Sequence, residues 1–219
     1  MAKPSRAEIV GAVLERHGRT YAEELGIDLE RGGPSALFRM LVASILFSAP
    51  IGARQGLTAA RALSDQGWTT AAKLAATSWE QRVRVLNQHG YARYGDRTSA
   101  MLGDACALLL DRYGGDLRAL RERAGRDPGG ERTLLKQVKG VGDVGVDIFF
   151  REVQVTWDEL YPFADPRALD AAKQLGLGSD LGKLAGGGDR ERFARLVAGL
   201  VRVRLGHDYD EVLEATHSR

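Results

Sequence analysis

The chain has 219 residues, of which 44% are hydrophobic and 27% are charged, and its formal net charge is +2. This length is enough for a sizeable core in one large or two small domains, and the composition is that of a soluble globular protein. The near-neutral charge neither shows nor excludes a basic face for nucleic acid, and a single cysteine excludes an internal disulfide.

No stretch approaches 18 consecutive apolar residues, and the first ten residues, MAKPSRAEIV, contain no apolar signal region. We therefore expect a cytoplasmic protein that does not span a membrane. Cys106 lies in a helical run beside Ala105 and Leu108, which predicts a small core residue. The histidines, at positions 17, 89, 207 and 217, lack metal-ligand spacing, so we expect no metal site.

Apolar residues recur at helical spacing nearly throughout the chain, and capping residues, glycine or proline bound each run. In the first half, capping boxes at Ser5 and Ser78 each predict the start of a helix. Further helices are predicted over residues 34–48 and 51–66. Residues 89–95 are predicted to form a loop before a long helix.

The second half is predicted to hold several further helices with irregular connections. In chain order they are a short helix capped by Asp116, a polar loop at 123–132, helices over 134–138 and 144–153, an extended linker at 153–157, a helix from Asp165 through Leu175, a long helix capped by Asp189, and a short C-terminal helix.

All-helical chains of this length usually build layers or bundles around separate cores. We predict an all-α fold with two helical domains and a cleft between them. Residues 34–160 are expected to form one domain, and residues 1–33 and 161–219 a smaller terminal domain. The chain would then cross twice between the domains, and Asp165 lies near the second crossing.

Two glycines, Gly140 and Gly142, separate two predicted helices in the sequence KGVGDV. Glycine permits positive φ and close backbone packing, and a helix that begins after the turn presents unpaired N–H groups and the positive end of its dipole. This arrangement suits one phosphate of a nucleic acid. The alternative is an ordinary turn between two helices.

Asp165 is followed by Pro166, and this pair favours the start of a helix, because aspartate caps a helix and proline fits its first position. In one interpretation the carboxylate is only a cap. In a second, compatible interpretation, one oxygen accepts from the helix N–H groups while the other faces the cleft. There it would polarise a water as a general base.

Three further stretches accompany the glycine turn, namely LVASILFSAP at 41–50, GYARY at 90–94 and PFADPRAL at 162–169. Together, over residues 38–177, these features resemble the helix–hairpin–helix, Gly/Pro-rich–Asp superfamily of DNA glycosylases, whose best-known branch is endonuclease III. The resemblance implies a six-helix domain that carries the hairpin and a smaller domain from both termini. It also implies DNA across the cleft, a damaged base flipped into it, a monovalent cation at the hairpin, and a catalytic Asp165.

The chain departs from the family's pattern at four points. Val144 stands where bifunctional members carry a lysine that forms a Schiff base with the sugar. The family's common iron–sulfur cluster needs four cysteines, so we expect no such cofactor here. Asp165 lies three residues later, relative to the turn, than in the lysine-bearing branch. Pro50 stands where the family often places a glutamine that fills the gap left by the flipped base, so Pro50 or Ile51 is expected to act as an apolar wedge.

Two sets of further contacts follow from these positions. The expected DNA-binding residues are Pro50, Ile51, Lys139, Gly140, Val141, Gly142, Val144 and Arg167. The expected base-pocket residues are Tyr91, Tyr94 and Asp147. The two tyrosines would stack on a base or serve as half-buried loop aromatics. Asp147 would be an alternative carboxylate facing the cleft, or lie on the helix surface.

We therefore expect a monomeric base-excision-repair DNA glycosylase that binds double-stranded DNA containing damaged bases or abasic sites. It would hydrolyse the N-glycosidic bond in one step, with Asp165 assisting a water. Three alternatives stay open: a bifunctional glycosylase and abasic-site lyase that uses another amine, a catalytically silent protein that binds damaged DNA, and a helical protein with no nucleic-acid role.

Overall fold

The computed structural model describes residues 4–216, and over that range it is all-α without a β-strand, which confirms the predicted fold class. The helices are α1 (Arg6–His17), α2 (Tyr21–Glu24), α3 (Pro34–Ser48), α4 (Ala53–Asp65), α5 (Ala71–Ala75), α6 (Trp79–Leu86), α7 (Gly95–Tyr113), α8 (Leu117–Arg123), α9 (Pro128–Leu135), α10 (Asp143–Val153), α11 (Pro166–Gln174), α12 (Leu181–Leu184), α13 (Arg190–Gly206) and α14 (Tyr209–Ala215). A π-helical turn at Asn87–Tyr91 and a 3-10 turn at Asp158–Leu160 join them.

Capping hydrogen bonds confirm the predicted helix starts. Ser5 and Ser78 each form a capping box at the first turn of α1 and α6. Asp116, Asp165 and Asp189 each accept backbone N–H groups at the starts of α8, α11 and α13. These short polar side chains replace the hydrogen bonds that the first turn of a helix cannot make internally.

The polar loop predicted at 123–132 is wrong in its second half, where α9 begins. Asp127 caps this helix by accepting from the N–H of Gly130 over 2.7 Å, and Pro128 occupies the first helical position. This is the same Asp–Pro start as at Asp165. Glycines at 129 and 130 obscured it, because glycine has low helix propensity.

The extended linker predicted at 153–157 is also wrong. The N–H groups of Thr156 and Trp157 both donate to the carbonyl of Val153 over 2.9 Å, so the chain continues in a helical turn. Trp157 is 1% exposed and packs edge-to-face on Phe149. Burial of this large ring outweighs the strand-like local composition.

The larger of two hydrophobic cores surrounds α3, which is buried on nearly all sides. Leu37, Met40 and Leu46 are fully buried there, and α4 and α10 pack against the helix. Cys106 lies in the same core, as predicted, and burial raises the pKa of its thiol to about 12. It is therefore an unreactive packing residue.

The smaller core joins both ends of the described chain. Ile9 and Val13 of α1 pack with Ala168 of α11 and with Val197 and Leu200 of α13. The small alanine side chains on the buried face of α11 allow close approach of α13, against which this helix packs extensively.

Residues 20–33 depart from the predicted domain boundary. Leu25, Ile27 and Leu29 are buried in the larger core, whereas the prediction placed them with the termini. Arg39 of α3 donates to the carbonyls of Leu25 and Gly26, and Glu152 of α10 accepts from the N–H of Ala22. Eight α-helices, α3 to α10, lie within residues 34–160, because connections such as α5 also fold as short helices. Residues 1–3 and 217–219, with His217, lie outside the described residues.

Gln154 fixes the segment that leads from one core to the other. Its side-chain amide donates to the carbonyl of Phe163 over 3.1 Å, and its carbonyl accepts from the N–H of Phe163 over 2.9 Å. Gln154 is itself fully buried. These two bonds hold the chain just before Asp165 against the end of α10, so α10 and the start of α11 have a defined relation.

Within residues 4–216, no helix is long and apolar enough to cross a lipid bilayer.

Candidate nucleic-acid interface and catalytic cavity

The turn between α9 and α10 requires glycine at position 140. Gly140 has φ of +90°, and a Cβ there would lie 3.1 Å from Ile45 Cγ2 and 3.4 Å from Met101 Sδ. A side chain would therefore be strained in conformation and crowded against the larger core. Val141, 5% exposed, anchors the turn, and its N–H donates to the carbonyl of Val138 over 3.0 Å.

Gly142 leaves the start of α10 open. It precedes the helix in an extended conformation without a side-chain cap, and a Cβ there would meet no atom within 4 Å. Asp143 in the first turn pairs with Lys136 over 2.8 Å, and this hydrogen bond lowers the pKa of the carboxyl. Since Lys136 balances this charge, the open end of α10 keeps the character of an anion site.

A groove of about 510 Å³, here called the hairpin groove, runs beside this turn. Arg97 and Lys139 are exposed in it, and neither forms an ion pair with any described carboxylate. Tyr94 is half-buried in the same groove, with the guanidinium of Arg93 5.5 Å from its ring centroid. The groove is therefore a basic surface next to an open helix end.

A second cavity of about 870 Å³, here called the interdomain cleft, lies between the two cores. Residues 47–53 form one wall, and the end of α1 with the end of α13 forms the other. Tyr21 stacks on Phe47 with ring centroids 4.3 Å apart. The guanidinium of Arg202 lies 4.5 Å from the Tyr21 centroid on the cleft wall.

A short ridge separates the groove from the cleft. Ser48, Ala49 and Pro50 line both cavities. Pro50 is exposed, and Ile51, half-buried, continues into the cleft wall. The structure thus places Pro50 between the basic hairpin groove and the interdomain cleft, and Ile51 on the cleft side, while the wedge role stays a prediction.

A third cavity of about 140 Å³, here called the carboxylate cavity, lies where one face of α10 meets the start of α11. Its lining residues are Val144, Asp147, Ile148, Arg151, Asp165, Pro166 and Arg167. Val144, Asp147, Ile148 and Arg151 belong to α10 and stand at positions i, i+3, i+4 and i+7, so they share one helix face. Ile148, Arg151 and Arg167 also line the interdomain cleft, which shows that the two cavities adjoin.

Asp165 is the cap that its sequence predicts, but its second oxygen is not free. One carboxylate oxygen accepts from the N–H groups of Arg167 and Ala168, at 2.9 and 3.2 Å. The other accepts from Nη1 of Arg151 over 2.7 Å, and Asp165 is 2% exposed. The expectation that this oxygen faces the cleft is therefore corrected: a carboxylate this deeply buried takes a counter-charge.

Asp147 is the more accessible carboxylate of the cavity. It is half-buried, and one of its oxygens accepts from Nη2 of Arg132 over 2.6 Å. Among the described residues, its other oxygen accepts no hydrogen bond. Val144, the position of the family's lysine, lies on the same face of α10 and is 40% exposed. The cavity therefore offers carboxylates and arginines but no lysine amine.

Tyr91 does not line a base pocket. It is 1% exposed, and its hydroxyl donates to the carbonyl of Leu46 over 2.8 Å. The π-helical turn places this ring in the larger core, where the bond satisfies a carbonyl near the end of α3. Tyr94 lines the hairpin groove rather than the interdomain cleft, so it faces the surface proposed for the DNA backbone.

The chain is similar to a solved endonuclease III. The structure, a trapped endonuclease III–DNA covalent intermediate in an estranged-adenine complex, matches with a TM-score of 0.49 and 18% sequence identity. The match covers 76% of this chain and 73% of that chain. No protein-family model matches the chain, and no curated protein matches its sequence. A likeness at this level establishes no activity.

Several cleft residues carry no local sequence signal. Tyr21 lies on a four-residue helix that the apolar pattern did not predict. The run Arg202-Val203-Arg204 is typical of a solvated helix face, but Nη2 of Arg202 donates to Glu24 over 2.6 Å at the cleft wall. Arg151 had one usable signal, since it lies seven residues after Val144 and therefore shares its helix face.

No group of three or more His, Cys, Asp or Glu side chains in the described part of the chain is arranged to hold a metal ion. Carbonyl oxygens of Lys139, Gly140 and Val141 in the turn accept no backbone hydrogen bond. Carbonyl oxygens are the ligands that monovalent cations take in proteins. The turn therefore fits the cation that the family resemblance implies.

Proposed function

We propose that this protein binds damaged double-stranded DNA, extrudes a base into the interdomain cleft and hydrolyses its N-glycosidic bond. The observation that carries the proposal is the ridge at 48–50, which borders the hairpin groove on one side and the cleft on the other. A DNA strand held by a phosphate at the groove would place a neighbouring base beside the cleft.

Binding of the DNA backbone is supported by arginine and lysine side chains without ion pairs in the hairpin groove and the interdomain cleft. Arg97 and Lys139 lie in the hairpin groove, and Arg19 and Arg167 are exposed at the cleft. None of the four forms an ion pair with a described carboxylate, so each is free to contact a phosphate. Such contacts position DNA without reading its sequence. A monovalent cation at the hairpin would add positive charge beside the phosphate.

Base extrusion is supported by the shape of the ridge. Pro50 is exposed at its crest, and Ile51 follows on the cleft side. Apolar side chains of this kind enter base steps and stabilise an unstacked duplex. An extruded base would then meet the carboxylate cavity at Ile148, where the two cavities adjoin.

The chemistry that we propose is hydrolysis. Water adds to C1′ of the sugar, the glycosidic bond breaks, and the base leaves with its bonding electrons and takes up a proton. Asp165 or the more accessible Asp147 would accept the proton of the water and stabilise the developing positive charge on the sugar. Val144 supplies no amine for a Schiff base, so the proposal is a monofunctional reaction.

One observation favours a second candidate. The ion pair with Arg151 occupies one carboxylate oxygen of Asp165 and balances its negative charge. A protein with this pair and without a nucleophilic lysine is suited to bind damaged DNA without cutting it. The second candidate is therefore a damage-binding protein on the same fold.

A lesion panel separates the candidates. Duplexes that each contain one oxidised, deaminated or alkylated base are incubated with protein and then treated with hot alkali, which cleaves abasic sites. Cleavage that needs alkali supports the proposal. No release from any lesion, together with salt-dependent binding to an abasic-site analogue, supports the second candidate.

Variants and trapping assign the chemistry. Asp165→Asn and Asp147→Asn are compared with wild type at matched folded fractions. The variant that lacks the general base is expected to release the damaged nucleobase about a hundredfold more slowly, in the range of about 10²–10⁴ typical of general-base catalysis. Equal release by wild type and Asp165→Asn removes Asp165 from the mechanism. A covalent product after borohydride reduction on abasic DNA shows a Schiff base and contradicts the monofunctional reaction.

A further inference from the structure

The interdomain cleft has an uneven charge. Five arginines and two carboxylates line it. Three of the arginines are ion-paired, Arg16 with Glu211, Arg151 with Asp165 and Arg202 with Glu24, and Arg19 and Arg167 form no ion pair with a described carboxylate. The second carboxylate, Asp208, lies 4.0 Å from His17, whose pKa burial lowers, so this histidine adds no charge at neutral pH. A positively charged ligand therefore meets an excess of arginine in this cleft.

The aromatic face that would hold a cation is also occupied. Cationic ligands bind aromatic rings by lying over the ring face. In this cleft, Phe47 stacks on Tyr21 at 4.3 Å, and the guanidinium of Arg202 lies 4.5 Å from the Tyr21 centroid. The guanidinium of Arg151 lies 5.7 Å from the same centroid. The protein's own cations thus take the position that a cationic base would need.

Arg151 has hydrogen-bonding capacity left unused. It lines both the interdomain cleft and the carboxylate cavity, and its side chain is 3% exposed. Nη1 donates to Asp165, and Nε is buried 3.7 Å from Glu152 Oε1, with neither of these two atoms in a hydrogen bond to a described residue. Nε therefore faces Glu152 rather than the cleft. The guanidinium carries five N–H donors, so it keeps donor capacity beyond its bond to Asp165 for an acceptor where the two cavities adjoin.

We propose that Arg151 is a specificity-determining residue: the cleft accepts a neutral or anionic base that presents a carbonyl oxygen to Arg151 and excludes a positively charged base. This inference rests on the proposed extrusion of a base into the cleft. Oxidised and deaminated bases are the damaged bases that present additional carbonyl oxygens. N7-methylated guanine carries a positive charge and represents the excluded class.

Binding to uncleavable DNA tests this without relying on catalysis. Duplexes of one sequence carry a single 2′-fluoro nucleotide, which resists hydrolysis, with 8-oxoguanine, hypoxanthine or N7-methylguanine as the base. Dissociation constants are measured at one salt concentration. Wild type is expected to bind the 8-oxoguanine or hypoxanthine duplex at least about tenfold more tightly than the N7-methylguanine duplex. Equal binding, or a preference for N7-methylguanine, overturns the proposal.

A double variant distinguishes recognition of the base by Arg151 from an effect of its substitution on folding. Arg151→Met alone leaves Asp165 buried without a counter-charge, so it is combined with Asp165→Asn, and the melting temperature confirms folding. The preference between bases is expected to fall to within about twofold in the double variant. Lys139→Gln is the matched control, because this exposed lysine lies in the hairpin groove and not in the cleft, so its loss weakens binding to all duplexes equally and leaves the ratio unchanged. A ratio that survives in the folded double variant overturns the role of Arg151.

The failure of this inference and of the proposed function are distinguishable. Release of N7-methylguanine as fast as of 8-oxoguanine from ordinary duplexes overturns the selectivity and leaves a glycosylase. A preserved binding preference without release of any base overturns hydrolysis and leaves the selectivity. Failure to bind any of the duplexes overturns both.

Discussion

Arg151 Nη1 donates to Asp165 Oδ2 over 2.7 Å, and both side chains are 3% exposed. Arg151 belongs to α10 in the larger core, and Asp165 caps α11 in the smaller core, so this ion pair joins the two cores. It also lies in the wall of the carboxylate cavity. The pair therefore links the contact between the two cores to the charge in the wall of that cavity.

Asp165→Asn is expected to destabilise the protein by about 3–5 kcal/mol, because the cap can persist while Arg151 becomes an unpaired charge in the interior. Urea unfolding followed by circular dichroism measures this change. Glu122→Gln breaks the exposed pair with Arg126 and is the control, with an expected loss of at most about 0.5 kcal/mol. Equal small losses in both variants would show that the buried pair contributes little.

The two glycines of the turn are expected to respond differently to alanine. Gly140→Ala is expected to cost about 1–3 kcal/mol of stability, because its φ is +90° and the new Cβ would crowd Ile45. Gly142→Ala is expected to keep wild-type stability, because its Cβ meets no atom, and yet to weaken DNA binding by obstructing the phosphate. Melting temperatures and fluorescence anisotropy on duplex DNA check the pair. Unchanged DNA binding by Gly142→Ala would argue against a phosphate at this turn.

Lys139→Gln and Arg97→Gln are each expected to reduce the slope of log binding constant against log salt concentration by about 1, since each would release one phosphate contact. The loss should be the same for damaged and undamaged duplexes. Lys73→Gln, at an exposed position on α5, is the control and should leave the slope unchanged. If all three variants keep the wild-type slope, the hairpin groove is not the DNA-binding surface.

Glu131 and Glu159 predict a pH dependence of stability. Burial and the neighbouring Glu159 raise the pKa of Glu131 to about 9. Although burial raises the pKa of Glu159, two hydrogen bonds from the guanidinium of Arg121 hold it at about 2. The folded pair thus keeps one proton from about pH 2 to about pH 9, whereas each unfolded side chain titrates near 4.5. The pair therefore contributes most stability near pH 4.5.

Above pH 4.5 this contribution falls as pH rises towards 9, by up to about 1.4 kcal/mol per pH unit, because only the folded state retains the proton. Below pH 4.5 it falls as pH drops towards 2. Glu131→Gln resembles the protonated acid, so it is expected to flatten the alkaline slope and to exceed wild-type stability at pH 8. Unfolding at pH 5, 7 and 9 tests this. Parallel wild-type and Glu131→Gln curves would show that Glu131 is ionised in the folded protein.

Features with local signals were predictable from sequence. Ser5, Ser78 and Asp165 carry cap chemistry within four residues, and each begins a helix in the structure. The glycine turn was predictable for the same reason, because the backbone conformation of Gly140 is a property of the residue itself. The start of α9 shows the limit, since glycines after Asp127 weakened an otherwise clear cap signal.

Features that depend on distant contacts were not predictable. The partner of Asp165 lies on another helix, and no spacing rule joins Arg151 to it. Tyr91 lies in a stretch that the sequence predicts as a loop, where it was expected to line a base pocket. Its ring is buried, and its hydroxyl donates to a carbonyl 45 residues away in the sequence. Tyr21 became a cleft residue only because Phe47 and Arg202 converge on it from separate elements.

The smaller core contains α1 and α13, which lie near opposite ends of the described chain. Arg195 Nε donates to the carbonyl of Gly18, 177 residues away in the sequence. During synthesis, Ile9 and Val13 leave the ribosome long before their partners on α13 are made. The larger core has all of its residues once Phe163 has emerged. The residues of the hairpin groove are therefore all synthesised before the α13 wall of the interdomain cleft, and a chain truncated ahead of α13 would keep the residues of the groove and lack that wall.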